Sequence, residues 1–151
     1  MSKIMVLNGP NLNLLGEREP HIYGHTTLAQ VEERCRVIGN RVGLEVDFRQ
    51  SNHEGQLVDW IHEARKSTAG IVFNPAAFSF TSMAILDASK ASQLPIVEVH
   101  ITNIHRRDTI YHKSYVSLAA IGVICGLGAF GYEAAVSFLS EHLRTTPETL
   151  T

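Results

Sequence analysis

Long apolar runs are missing from this sequence. No stretch approaches the roughly 18 consecutive apolar residues of a membrane helix, and the opening run Ile4-Met5-Val6-Leu7 is far too short for the apolar segment of a signal peptide. The expected location is the cytoplasm, with no membrane partner. Charge of one sign is missing too: 13 basic residues face 15 acidic ones, the net charge is −2, and lysine and arginine are scattered. That balance gives no electrostatic footing for nucleic acid, so the expected partner is a small molecule. Cysteine is scarce. Cys35 and Cys125 lie in apolar stretches without the Cys-x-x-Cys spacing of a redox pair or zinc knuckle, which predicts buried, reduced thiols. A Gly-x-Ser-x-Gly nucleophile elbow is absent, and no lysine sits in a desolvating context, so covalent catalysis has no candidate nucleophile.

What is present is a regular alternation. A chain of 151 residues, 44% hydrophobic and 19% charged, suits one domain spanning residues 1–151, with a frayed tail over 145–151. Apolar runs rich in β-branched residues predict strands over Lys3 to Asn8, Leu44 to Arg49, Gly70 to Asn74, Pro95 to His100 and Ala120 to Cys125. Between the first two, Leu28, Val31, Cys35, Ile38 and Val42 recur at spacings of three and four, one apolar helix stripe that Gly43 can close. Leu57, Ile61 and Ala64 form a second stripe, and Thr81 to Ala91 and Leu127 to Leu143 supply two more helices. A βαβ succession with right-handed crossovers gives a three-layer, flavodoxin-like open sheet of five parallel strands. The glycines at 126, 128 and 131 resemble a dinucleotide fingerprint, but they follow the last strand and no ribose-binding acid comes after them. A tight turn with close helix packing is the simpler reading.

In such a sheet, ligands sit beyond the carboxyl ends of the strands. That singles out Asn8 to Asn11, Asn74, and Glu98 with His100. Glu98 and His100 share one side of an extended segment, where the carboxylate can fix the imidazole's tautomer and favour its protonated form, as a general acid requires. The same pair would serve equally as hydrogen-bonded strand-end residues. Gly9 to His25 is long enough to fold over the strand ends as a lid carrying Arg18 and Tyr23. A tyrosine acting as a base needs its phenolate stabilised, since its ordinary pKa is about 10, and Arg18 is the natural partner. In isolation both are also ordinary packing and surface residues. Glu98, His100 and His105 offer an alternative metal set. The remaining histidines, at 21, 25, 53, 62, 112 and 142, have no ligand spacing and are expected at the surface.

Four blocks of sequence resemble one family, the type II 3-dehydroquinate dehydratases, from about Ile4 to Leu143. They are Asn8-Gly9-Pro10-Asn11-Leu12-Asn13-Leu14-Leu15-Gly16 with Arg18-Glu19-Pro20 and Tyr23-Gly24; Gln50-Ser51-Asn52-His53-Glu54-Gly55; Glu98-Val99-His100-Ile101-Thr102-Asn103; and Gly122-Val123-Ile124-Cys125-Gly126-Leu127-Gly128. The resemblance implies a flavodoxin-like fold, a homododecamer built from four trimers, and cofactor-free, metal-free removal of water from 3-dehydroquinate through an enolate, a step shared by aromatic biosynthesis and quinate breakdown. It implies Tyr23 as base, assisted by Arg18; Asn11 holding the enolate oxygen through a water; and His100 as acid, oriented by Glu98. Asn74 and the backbone at Ile101 and Thr102 would hold the substrate, and Asp87 would reach a neighbouring subunit's site.

Two positions depart from the family pattern. Phe80 stands where a histidine is usual. Arg107 keeps the first arginine of its segment, also assigned to substrate binding, but Tyr111 stands where a second is expected. Each lost donor to a polar ligand costs about 1–3 kcal/mol. These departures motivate two further readings: a related lyase or hydrolase acting on a less polar ring, and a non-catalytic ligand-binding oligomer.

Overall fold

The computed structural model describes residues 1–146. Five parallel strands, β1 (Ser2–Asn8), β2 (Leu44–Gln50), β3 (Ile71–Asn74), β4 (Ile96–His100) and β5 (Gly122–Cys125), form one sheet in the order β2-β1-β3-β4-β5. This is the flavodoxin-like arrangement expected, with strand order reversing between β1 and β3. The helices are α1 (Pro20–Tyr23), α2 (Leu28–Val42), α3 (Glu54–Ser67), α4 (Met83–Ser92) and α5 (Phe130–Thr145).

Strand periodicity divides the core into two layers. On β1, Ile4 and Val6 pack with Val31 and Cys35 of α2 and with Val136 and Leu139 of α5. Met5 and Leu7 point the other way, toward Leu57 and Ile61 of α3 and Ile85 of α4. Both sets are fully buried, which is why β1 reads as an unbroken apolar run rather than an alternating one. The α2 stripe forms as expected, opened by a capping box in which Thr27 Oγ1 accepts from the Gln30 backbone N–H at 3.2 Å and Gln30 Oε1 accepts from that of Thr27 at 2.9 Å.

Apart from α1 and the short 3-10 turns, which the sequence did not announce, the differences from the sequence-based expectation lie at element ends. α4 begins two residues late because the Ser82 hydroxyl caps it, accepting from the Ile85 N–H at 3.0 Å. α5 begins at Phe130, not Leu127, because Gly126 and Gly128 adopt φ of +89° and +60° in the turn leaving β5. Gly131 then faces Ile124 and Val99, where an added Cβ would sit 3.3–3.4 Å from their methyl groups. The glycine cluster is thus turn and close packing. β5 is shorter than predicted, since Ala120 and Ile121 leave a 3-10 turn over Val116–Leu118 before pairing starts. Of the expected frayed tail, Thr145 still closes α5, and residues 147–151 lie outside the described residues.

One expectation about cysteine is corrected. Cys35 is buried, but Cys125 is only half-buried, because β5 is the edge of the sheet. Burial, with the Glu133 charge nearby, pushes the Cys35 thiol up to about 12. Cys35 should therefore resist iodoacetamide in the native protein and react only after unfolding, as peptide mass spectrometry would show. Rapid native labelling of Cys35 would contradict this packing.

Candidate active site

The site begins where β1 and β3 end side by side. Asn8 pairs with Asn74 in register, and the Gly9 N–H donates to the Asn74 carbonyl at 2.8 Å. A Cβ at Gly9 would stand 2.2 Å from the Pro75 carbonyl oxygen, so only glycine lets the two chains leave this point together. Beneath them lies Tyr132 of α5, fully buried, whose hydroxyl donates to Asn8 Oδ1 at 2.7 Å and accepts from Asn74 Nδ2 at 2.8 Å. Burial holds the Tyr132 phenol well above the usual tyrosine range, so it remains protonated. Removing that hydroxyl in Tyr132→Phe leaves two buried atoms, Asn8 Oδ1 and Asn74 Nδ2, without a partner. The expected cost is about 1–3 kcal/mol in chemical unfolding, and an unchanged midpoint would contradict the pinning role.

From this floor the chain rises into the expected cover. Leu12 and Leu15 are buried and anchor it, while Asn11, Arg18 and Tyr23 stand around the opening. Asn11 takes a left-handed backbone, φ 69°, held by its N–H donating to Asn52 Oδ1 at 2.9 Å. Gln50 Nε2 braces both partners, donating to the Gly9 carbonyl at 3.2 Å and to Asn52 Oδ1 at 3.1 Å. The second motif block thus shapes the Asn11 turn. Arg18 places its guanidinium carbon 5.0 Å from the Tyr23 ring centre, as the sequence suggested, and pairs with Glu19 at 3.4 Å. Arg107 comes to the same ring from another segment, at 5.7 Å.

The opposite wall is built on β4. Glu98 and His100 point to the same side, with 0% and 5% of their surfaces exposed, and His100 Nε2 bonds to Glu98 Oε2. Glu98 Oε1 accepts from the Ser117 hydroxyl at 2.7 Å. Burial opposes ionisation of Glu98, yet the bond and charge of His100, aided by Ser117, together hold its carboxyl below the usual glutamate range. Its stabilising contribution is present above the ordinary glutamate pKa of about 4.3 and is lost as pH falls below that. An ionised Glu98 makes Nε2 the donating nitrogen and leaves His100 Nδ1 without a protein partner among the described residues.

Between these walls lies a cavity of about 110 Å³. Of the residues proposed from sequence, Asn11, Arg18, Tyr23, Asn74, His100, Ile101, Thr102 and Arg107 line it, as do the departing positions Phe80 and Tyr111. Glu98 sits behind His100. Asp87 does not line the cavity and is exposed on α4. Both polar ends of the Asn74 amide already have partners, Tyr132 and the Ala76 N–H, so its first task is structural. His105 does not join Glu98 and His100 as a third ligand: no cluster of three metal-ligating side chains occurs among the described residues. Sequence reasoning missed Tyr132, Ser117, and the approach of Arg107 to Tyr23. For Tyr132 a signal existed, since Tyr132, Ala135, Val136 and Leu139 form a helical stripe that buries a hydroxyl in need of a partner.

A flavodoxin-ordered sheet with a tyrosine between two guanidinium groups and a carboxylate-backed histidine across one cavity is the framework of a small α/β acid–base site. The sequence profile described as "Dehydroquinase class II" matches residues 2–140, and the chain belongs to that family. It is 63% identical over 134 residues to a 3-dehydroquinate dehydratase of Streptomyces avermitilis, covering 88% of this chain and 84% of that one. It is 56% identical over 141 residues to 3-dehydroquinate dehydratase 2 of Pseudomonas putida, covering 93% and 95%. Among solved structures, the type II dehydroquinase from Propionibacterium acnes superposes with a TM-score of 0.90 at 45% identity, over 93% of this chain and 97% of that one. A 3-dehydroquinate dehydratase-like protein from Bifidobacterium longum superposes with a TM-score of 0.73 at 32% identity, over 95% and 99%.

Proposed function

We propose that this chain converts 3-dehydroquinate to 3-dehydroshikimate by acid–base elimination through an enolate, with no cofactor or metal. The observation that carries this reading is that Tyr23 and His100 line one cavity, the first beside Arg18 and Arg107, the second backed by buried Glu98.

The Tyr23 phenolate takes a proton from the carbon beside the ketone, and the C–H electrons move onto the ketone oxygen. Asn11, through a water, holds that enolate oxygen. When the carbonyl re-forms, the C–O bond to the β-hydroxyl breaks and His100 Nδ1 delivers the proton that lets it leave as water. One C–H and one C–O bond are exchanged for one C=C bond. A proton must then pass from Tyr23 back to His100 before the next turnover. Glu98 acts through His100 by fixing its ring orientation and tautomer. Asn74, Arg107 and the backbone at Ile101 and Thr102 hold the substrate's hydroxyls and carboxylate.

The catalytic unit is the single domain 1–151, located in the cytoplasm and placed at the dehydroquinate step of the shikimate pathway. It assembles as a dodecamer of four trimers in which Asp87 reaches a neighbour's site. Exposed Leu118, Ile121, Val123, Leu127 and Phe130 around the β5 edge support self-association, and sedimentation velocity reads the assembly directly. For the reaction itself, proton NMR of 3-dehydroquinate with metal-chelated protein should show the vinyl proton of the product growing at the same rate as before chelation. Loss of turnover on chelation would overturn the metal-free mechanism.

A further inference from the structure

The wall joining His100 to Tyr23 is an unbroken series of ring contacts. Phe80 stacks beside His100 with centres 6.1 Å apart and 27° between planes, and it meets Tyr111 edge-on at 5.3 Å and 79°. The Arg107 guanidinium carbon lies over the Tyr111 ring, 4.0 Å from its centre, and 5.7 Å from that of Tyr23. The backbone of Arg107 is fixed separately, by His112 Nε2 bonding to its carbonyl at 2.7 Å. Its side chain has no such tether: among the described residues the Arg107 guanidinium makes no ion pair and no hydrogen bond.

A flexible arginine in that state would sample many rotamers unless something held it. Of the two rings it faces, Tyr111 is the nearer. The nature of that contact matters, because the face of an aromatic ring attracts a guanidinium without neutralising it. A carboxylate at position 111 would hold Arg107 but cancel its charge, and a cation there would push it away. Arg18, the other guanidinium beside Tyr23, is partly offset by Glu19. Within its own chain, among the described residues, Arg107 is thus the guanidinium near the Tyr23 ring that no carboxylate pairs with.

We propose that Tyr111, braced edge-on by Phe80, is a positioning residue that holds the Arg107 guanidinium beside Tyr23. This assignment rests on the reading of Tyr23 as the base. It also gives the two departures from the family pattern a joint purpose, since Phe80 orients the ring on which Arg107 lies. Because Arg107 faces both Tyr23 and the substrate in that reading, its displacement lowers kcat as well as raising KM.

The test compares Tyr111→Phe, Tyr111→Leu and Phe80→Leu, each by steady-state kinetics with 3-dehydroquinate and by a crystal structure without ligand. Tyr111→Phe keeps the ring face and should retain at least about half of kcat, with Arg107 in place. Tyr111→Leu keeps apolar bulk without a π face and should lower kcat about tenfold or more, the Arg107 guanidinium having left Tyr23. Phe80→Leu should fall between. If Tyr111→Leu keeps its kcat, loses no more than Tyr111→Phe, or still shows Arg107 against Tyr23, the positioning role is overturned. Should the parent protein not turn over 3-dehydroquinate, the proposed reaction fails while the crystal structures still decide whether Tyr111 holds Arg107.

Discussion

Tyr23→Phe should lower kcat for 3-dehydroquinate by about 100- to 10,000-fold, the range for removal of a positioned general base. The substitution removes one oxygen and little else. Tyr23 is half-buried at the end of a four-residue helix, and its hydroxyl makes no hydrogen bond to other described residues. Phenylalanine keeps a ring for Arg18 and Arg107 to lie against, so unfolding free energy should change by no more than about 0.5 kcal/mol. A large kinetic loss with unchanged stability would place the missing oxygen in the chemistry. A variant retaining more than about a tenth of the parent kcat would remove Tyr23 from the role of base.

His100→Gln should also reduce elimination by about 100- to 10,000-fold, but with a different signature. Glutamine can still bond to Glu98 but cannot supply a proton to the departing hydroxyl. Proton abstraction by Tyr23 does not need that proton. In deuterated water, His100→Gln should therefore still exchange hydrogen at the carbon beside the ketone while product formation nearly stops, whereas Tyr23→Phe should lose both. NMR of recovered substrate separates the two cases. Loss of exchange in both variants would mean that His100 is needed before the enolate forms, and the acid and base could not then be assigned to separate walls. His100→Gln should also be less stable at neutral pH than Tyr23→Phe, because it replaces the group that bonds the buried Glu98 carboxylate.

The sheet and its layers could be read from the sequence because buried parallel strands are nearly continuous apolar runs, and the α2 stripe is long and regular. The strand ends carrying Asn74 and His100 followed directly, and with them half of the site. The pairing of Glu98 with His100 needed only the alternation of side chains along β4. What could not be read lies in segments without periodicity. From Ile101 to Ile121 the chain folds through three short 3-10 turns, over Ile104–Arg106, Thr109–Tyr111 and Val116–Leu118, which brings Arg107 back to Tyr23 and Ser117 back to Glu98. No local spacing encodes that return path. The Asn8–Tyr132–Asn74 pin likewise joins groups 58 and 124 residues apart, so each polar side chain looks unremarked in its own apolar surroundings until the fold assembles them. Phe80 and Tyr111 read from sequence as lost polar contacts. In the folded chain they are neighbours, and their contact with each other and with Arg107 is visible only there.

The most direct measurement is a steady-state ultraviolet assay of the purified, folded protein with 3-dehydroquinate, following the conjugated enone of the product. Saturable turnover at about 1 s⁻¹ or faster is the expected result for an enzyme acting on its own substrate. Well-folded protein that forms no enone at millimolar substrate would contradict the proposed reaction.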